Sequence, residues 1–190
     1  MMNSSKWHLN KYYNYTREEI KDMWDKNRIE ASDAGTKLHH DIECFYNNVS
    51  VINDSIEYKY FLNFINDFPF LKPYRTEWMI WDKELRFAGS IDMVYENDDG
   101  TLLIYDWKRS KNIVKSKKYI EFSHTSCISH IPDTNFWHYA LQLNTYKAII
   151  EKNYGKKVSD MVLVRFHPNS NNYQLFPVPN LNEEIKSLFA

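Results

Sequence analysis

The stretch that most constrains this chain is Gly89–Arg109, G-S-I-D-M-V-Y-E-N-D-D-G-T-L-L-I-Y-D-W-K-R. Two runs rich in Val, Ile, Leu and Tyr flank Asn97-Asp98-Asp99-Gly100, which reads as a β-hairpin with a short turn. A three-residue loop, Asp98-Asp99-Gly100, with Gly100 supplying a left-handed backbone, pairs Asn97 with Thr101. Counting back from that pair sets Asp92 opposite Asp106 and Ser90 opposite Lys108. Side chains alternate with period two, so Asp92, Asp106 and Lys108 are expected on one face. Two carboxylates and an ammonium on an otherwise apolar hairpin are costly unless something binds between them. The layout suits a hard metal ion with a built-in ammonium beside it. A D-x-K tripeptide alone recurs by chance, and it is the Gly-Ser-Ile-Asp at hairpin spacing that gives it weight.

The 190 residues around this hairpin suffice for one domain with a substantial core, and a single domain over 1–190 is expected. Hydrophobic residues at 43% and charged residues at 26% place the chain among soluble globular proteins. No apolar run approaches the roughly 20 residues that span a bilayer, and the N-terminus has no signal-peptide core. Cys44 and Cys127 form no C-x-x-C pair. They point to a reducing intracellular compartment (cytoplasm, nucleus or viral factory) and exclude a four-cysteine cluster built by this chain alone. The net charge of −1 predicts no polyanion partner by itself. Its distribution says more: Lys108, Arg109, Lys111, Lys115, Lys117 and Lys118 follow one another with no acid between them. A solvated loop is one reading of that run. Its start inside the suspected site favours a phosphate-facing role.

Thr16-Arg17-Glu18-Glu19 is a capping box opening a helix to about Arg28, with Ile20, Met23 and Trp24 along one side as core. Ala34-Gly35-Thr36 is expected to interrupt it. A second helix, Thr36–Asn47, then carries Leu38, Ile42 and Phe45 on one face and His39, Glu43 and Tyr46 on the next. His40 points about 100° away from His39. A helix over 53–68 ends at Pro69, and Arg75–Trp81 alternates as a strand with Glu77, Met79 and Trp81 on one face. Phe122–Thr134 is irregular and long enough for a functional loop or lid. Asn135–Tyr154 is a helix closed by Gly155, on which Gln142 and Tyr146 share a face. Strands over 158–166 and 173–178 and a short helix over 182–189 complete one α/β domain.

In order, the chain carries Gly35-Thr36-x-x-His39, Glu77 on a strand, Gly89-Ser90-Ile91-Asp92, Asp106-Trp107-Lys108 and Gln142-x-x-x-Tyr146. Over roughly residues 16–166 this order resembles the PD-(D/E)XK nuclease superfamily, and within it the RecB-like exonuclease branch. The resemblance implies a restriction-endonuclease-like core, a central mixed β-sheet flanked by α-helices. It also implies a metal-dependent deoxyribonuclease acting as an exonuclease on DNA ends or single strands. It makes Asp92, Asp106 and Lys108 the catalytic residues and His39, Asp92, Asp106 and the Trp107 carbonyl the metal ligands. Lys108 would orient or deprotonate the attacking water, while Gln142 and Tyr146 would brace their helix and touch the nucleic-acid backbone. Glu77 and Glu43 are left to a second metal or an outer shell. The cysteines that hold an iron–sulfur cluster in some relatives are absent, as is any G-x-x-x-x-G-K-[ST].

The chemistry fits on its own terms. Phosphodiester hydrolysis needs charge neutralised on a nonbridging oxygen and a water made nucleophilic, and an oxygen-ligated Mg²⁺ or Mn²⁺ does both. His39 softens the site slightly, which is compatible with Mn²⁺. Lys111 and Lys115 would grip phosphates, and surface Tyr and Trp could stack the bases of a single strand. RNA as substrate, cleavage polarity and pathway (DNA repair or recombination among them) stay open. Two readings from other classes stand beside the enzyme: a catalytically silent nucleic-acid-binding module, and an adaptor whose acids and Lys108 form salt bridges.

Overall fold

The structure is a computed structural model describing residues 7–116, 119 and 121–190. The chain divides into two compact units, residues 1–37 and 38–190. In the first, Trp7–Leu9 is a 3₁₀ turn and helix α1 (Arg17–Tyr46) begins, continuing past the division. The capping box is formed: Thr16 N–H donates to Glu19 Oε2 at 2.7 Å and Glu19 N–H to Thr16 Oγ1 at 3.2 Å. Trp24 packs edge-on against Tyr12 and donates its indole N–H to the Tyr12 hydroxyl at 2.9 Å.

The expected break at Ala34-Gly35-Thr36 does not occur, and α1 is one helix of 30 residues. A glycine inside a helix costs only about 1 kcal/mol relative to alanine. No proline stands here to remove a hydrogen bond, so helical pairing carries through Gly35.

The second unit is a sheet between two helical layers. Helix α2 (Ile56–Asp67) starts at Ser55, whose hydroxyl accepts the Tyr58 N–H. Strands β1 (Pro73–Asp82), β2 (Phe87–Glu96) and β3 (Leu102–Lys108) form an antiparallel meander. Helix α3 (Asn135–Asn153) lies between β3 and β4 (Val158–Arg165), which pair in parallel. Strand β5 (Gln174–Pro177) adds antiparallel to β4, and α4 (Asn182–Leu188) follows. Sheet order is β1-β2-β3-β4-β5, and the α/β class expected from the sequence is the observed one.

The meander turns where expected: Asn97 N–H donates to the Thr101 carbonyl at 2.8 Å, and Gly100 takes φ +78°. Alternation along β3 sends Leu102 and Ile104 into a core with α3, while Tyr105 and Trp107 enter a second core with α1 and α2. In that second core Phe61, Phe64, Trp107 and Phe166 meet as edge-on and tilted rings. Burying one such side chain contributes roughly 1.5–3 kcal/mol. Residues 121–133 fold back on themselves through a Phe122↔Pro132 bridge and a 3₁₀ turn at Ser126–Ile128, so the expected irregular segment has local order.

Candidate active site

The β2–β3 ladder runs from Glu96↔Leu102 to Met93↔Tyr105 and ends one step short of Asp92 and Asp106. Beyond it, Asp92 Oδ2 accepts the Trp107 backbone N–H at 2.8 Å, so a side chain stands where a strand carbonyl would otherwise pair. Strict alternation also fails at Asp92. Ile91 and Val94 face one core while Met93 and Tyr95 face the other. Across on β1, between the pairs Thr76↔Met93 and Trp78↔Ile91, Glu77 adopts φ +44°. A non-glycine residue in that region costs on the order of 1–3 kcal/mol. Both strands therefore change phase together, at the two carboxylates.

The Trp107 peptide is held from both sides, because its carbonyl meets His39 Nε2 at 2.9 Å. A carbonyl only accepts, so His39 carries its proton on Nε2 and Nδ1 keeps a lone pair. That Nδ1 lies 3.5 Å from Asp92 Oδ2. Burial holds the His39 pKa below its usual value, outweighing the pull of Asp106, which leaves a neutral imidazole at pH 7. Two acceptors thus face each other across a gap that a cation relieves. Ser90 Oγ donates to Glu77 Oε2 at 2.9 Å. One ligand atom each from His39, Glu77 and Asp92 falls within 4.8 Å of the others.

Asp106 lies outside that trio. It is 3% exposed, and Lys108 Nζ approaches its Oδ2 at 2.6 Å. The approach is oblique, leaving the buried Oδ2 with no well-directed hydrogen-bond donor among the described residues. Burial and then the Asp106 charge push the Asp92 pKa well above the usual 3.8. Burial raises Asp106 as well, against the opposing pull of Lys108. For Lys108, burial disfavours the charge, yet Asp106 and Asp92 outweigh it and its pKa rises. The ammonium also sits 4.6 Å over the Tyr139 ring. Neutral imidazole, crowded carboxylates and an undirected buried oxygen together fit a hard divalent ion.

Helix α3 closes the site from the side. Gln142 Nε2 donates to the Tyr146 hydroxyl at 2.8 Å. A Cβ at Gly89 would lie 2.6 Å from Tyr146 Cε1, so the glycine of Gly-Ser-Ile-Asp exists for the tyrosine of Gln-x-x-x-Tyr. Burial raises the Tyr146 pKa, and its hydroxyl stays protonated.

The structure brings Glu77 into the cluster, where the sequence left it at the margin. Glu43 stays out, its carboxylate 4.0 Å from His40 Nδ1. Of the basic run, Arg109 is taken by Glu57 at 2.7 Å, and Lys115 sits 4.5 Å over the Phe136 ring. Lys111 is exposed beside a cavity, while Lys117 and Lys118 lie outside the described residues. Sequence reasoning missed the Ser90 bond to Glu77 and the Tyr139 ring beneath Lys108. Tyr139 was legible as lying three residues before Gln142 on the same helical face.

A family model described as the PD-(D/E)XK nuclease superfamily matches residues 56–187. Among solved structures, the chain is similar to one from Eubacterium rectale titled "Putative exonuclease", at 11% identity and a TM-score of 0.39, covering 77% of this chain and 68% of that one. No curated protein matches.

Proposed function

Because this chain belongs to the PD-(D/E)XK nuclease superfamily, we propose that it is a divalent-metal-dependent deoxyribonuclease working as an exonuclease on DNA ends or single strands. We take residues 1–190 as a single nuclease domain and Mg²⁺ or Mn²⁺ as the ion. The observation that carries the reading is the convergence of His39, Glu77 and Asp92 within 4.8 Å, beside the Asp106–Lys108 pair. His39 Nδ1, Asp92 and Asp106 would hold the ion, and Glu77 would join them; the Trp107 carbonyl, expected as a further ligand, is instead the acceptor for His39 Nε2 and faces away from an ion on Nδ1. Such an ion, when bound, neutralises phosphate charge and lowers the pKa of water.

The chain's own groups do the rest. Trp107 N–H fixes the Asp92 carboxylate, the Trp107 carbonyl fixes the imidazole, and Ser90 fixes Glu77. Partners of this kind set ligand orientation and basicity. The raised pKa of Lys108 supports a charged ammonium that orients water and stabilises developing negative charge, in preference to a base. Gln142 and Tyr146 would brace α3 and touch the backbone, and Lys111 and Lys115 would meet phosphates.

The test is incubation of linear DNA with and without Mn²⁺, comparing wild type with Lys108→Ala. Cleavage that needs both ion and lysine is expected. Retention of DNA without cleavage would instead support the silent binding module of the same fold.

A further inference from the structure

Arg165 stands apart from the other buried charges. It is 7% exposed, and its hydrogen-bond partners are all neutral: the Ser110 carbonyl at 2.6 Å, Ser170 Oγ at 2.9 Å, the Lys111 carbonyl and Gln174 Oε1. Among the described residues no carboxylate pairs with it, and burial alone shifts its pKa, downward. A buried guanidinium is tolerated when hydrogen-bonded, yet its charge is left uncompensated. Those bonds use four of its five N–H groups.

Arg165 lines a cavity of about 440 Å³ together with Lys111, Asn112, Ser170, Asn172 and Gln174, and no acid is among its lining residues. The surroundings are electropositive as well. Burial, then Arg109, Arg165 and Lys111, hold the His167 pKa below its usual value against the pull of Glu57. The position is equally telling: Arg165 is the register partner of Lys108 on the neighbouring parallel strand. Neighbouring strands lie about 4.8 Å apart.

We propose that this cavity is a phosphoryl-binding subsite one strand away from the candidate metal centre, in which Arg165, Lys111, Asn112 and Asn172 take a second phosphate of the nucleic-acid chain. The ligand's identity as a nucleic-acid phosphate rests on the nuclease reading. The shared chemistry is a phosphate oxygen, from either an internal phosphodiester or a terminal phosphomonoester.

Asn172→Asp is the sharpest variant. It keeps the oxygen that accepts from Asn63 Nδ2 at 3.1 Å, yet sets a negative charge in the cavity. Lys111→Ala keeps the backbone carbonyl that Arg165 uses. Full-length wild type and both variants would bind 3′-labelled single-stranded oligonucleotides, 5′-phosphorylated or 5′-hydroxyl, in EDTA across a salt series. Inorganic phosphate serves as competitor, and melting temperatures serve as the folding control. Expected are affinity losses of about 5–10-fold with Tm retained, and a salt slope reduced by about one for Lys111→Ala. An effect on both oligonucleotides indicates an internal phosphate, and an effect confined to the phosphorylated one a terminal phosphate. Equal affinities for all three proteins at every salt concentration overturn the subsite. Wild-type hydrolysis of linear DNA with Mn²⁺ is read separately. Hydrolysis with equal affinities sinks the subsite alone, whereas no hydrolysis with the expected losses sinks the nuclease reading and leaves an anion site.

Discussion

Asp92 is where backbone and chemistry meet, because its carboxylate both replaces a strand bond to Trp107 and faces His39. Asp92→Asn keeps an oxygen for the Trp107 N–H but removes the charge. Cleavage should fall by more than about 100-fold, the upper scale of losing an outer partner alone. Metal-free stability should hold or rise, since a raised carboxylate pKa marks a charge the fold disfavours. Ser90→Ala should weaken Mn²⁺ affinity roughly 10–100-fold, by loosening Glu77. The pH dependence follows from the same groups. Asp92 and Asp106 are raised above 3.8, so between that value and their folded pKa values the native state binds more protons than the unfolded chain. The contribution of these two carboxylates should therefore fall as pH climbs above about 4, opposite to that of His39, whose lowered pKa adds stability as pH rises toward 6.5, and Mn²⁺ should reverse the carboxylate loss while displacing protons. Melting curves of wild type and Asp92→Asn over pH with EDTA or Mn²⁺ check the sign; a wild-type Tm that gains on that of Asp92→Asn as pH climbs from about 4 would refute it.

At the scale of elements, β2 and α3 are fitted to each other through Gly89 and Tyr146. Gly89→Ala should cost on the order of 1–3 kcal/mol by overpacking. Adding Tyr146→Ala should return part of that loss, which a double-mutant cycle in denaturant measures. The end of β1 is tied down by buried Asp82, which accepts from Leu85 N–H at 2.9 Å, Lys152 at 3.0 Å and Asn153 at 3.1 Å. These bonds, the Leu85 one foremost, depress its pKa to about 2. Its contribution is present above 3.8 and lost as pH falls toward about 2, so Asp82→Asn should flatten acid denaturation there. The hairpin register was legible as far as Met93↔Tyr105 because Asn97-Asp98-Asp99-Gly100 admits few turns and one turn sets the pairs next to it; the expected Asp92–Asp106 and Ser90–Lys108 pairs lie beyond the ladder, where the Asp92 side chain takes the Trp107 N–H. The role of Glu77 was not legible, since it depends on a left-handed backbone that no glycine announces. Nor was the continuity of α1: Gly35 looks like a stop locally, and a penalty of about 1 kcal/mol is small against helical pairing on both sides.

For the molecule as a whole, the mixed sheet separates two apolar cores and leaves its charged groups at the end where β2 and β3 part. Ligand binding to the native state alone raises stability by RT ln(1 + [L]/Kd), about 2.7 kcal/mol at one hundred times Kd. Saturating Mn²⁺ should accordingly raise the wild-type Tm by several degrees and the Asp92→Asn Tm by far less, measured by calorimetry. Trp107 joins the two ends of this design. Its indole is 1% exposed among Phe61, Phe64 and Phe166, while its own peptide grips Asp92 and His39. Softening that aromatic cluster would let the grip slip before any strand dissolved. On warming, the capacity to capture an ion should fade in step with the signal of this indole and ahead of the loss of sheet, so that heat silences the protein through its interior first.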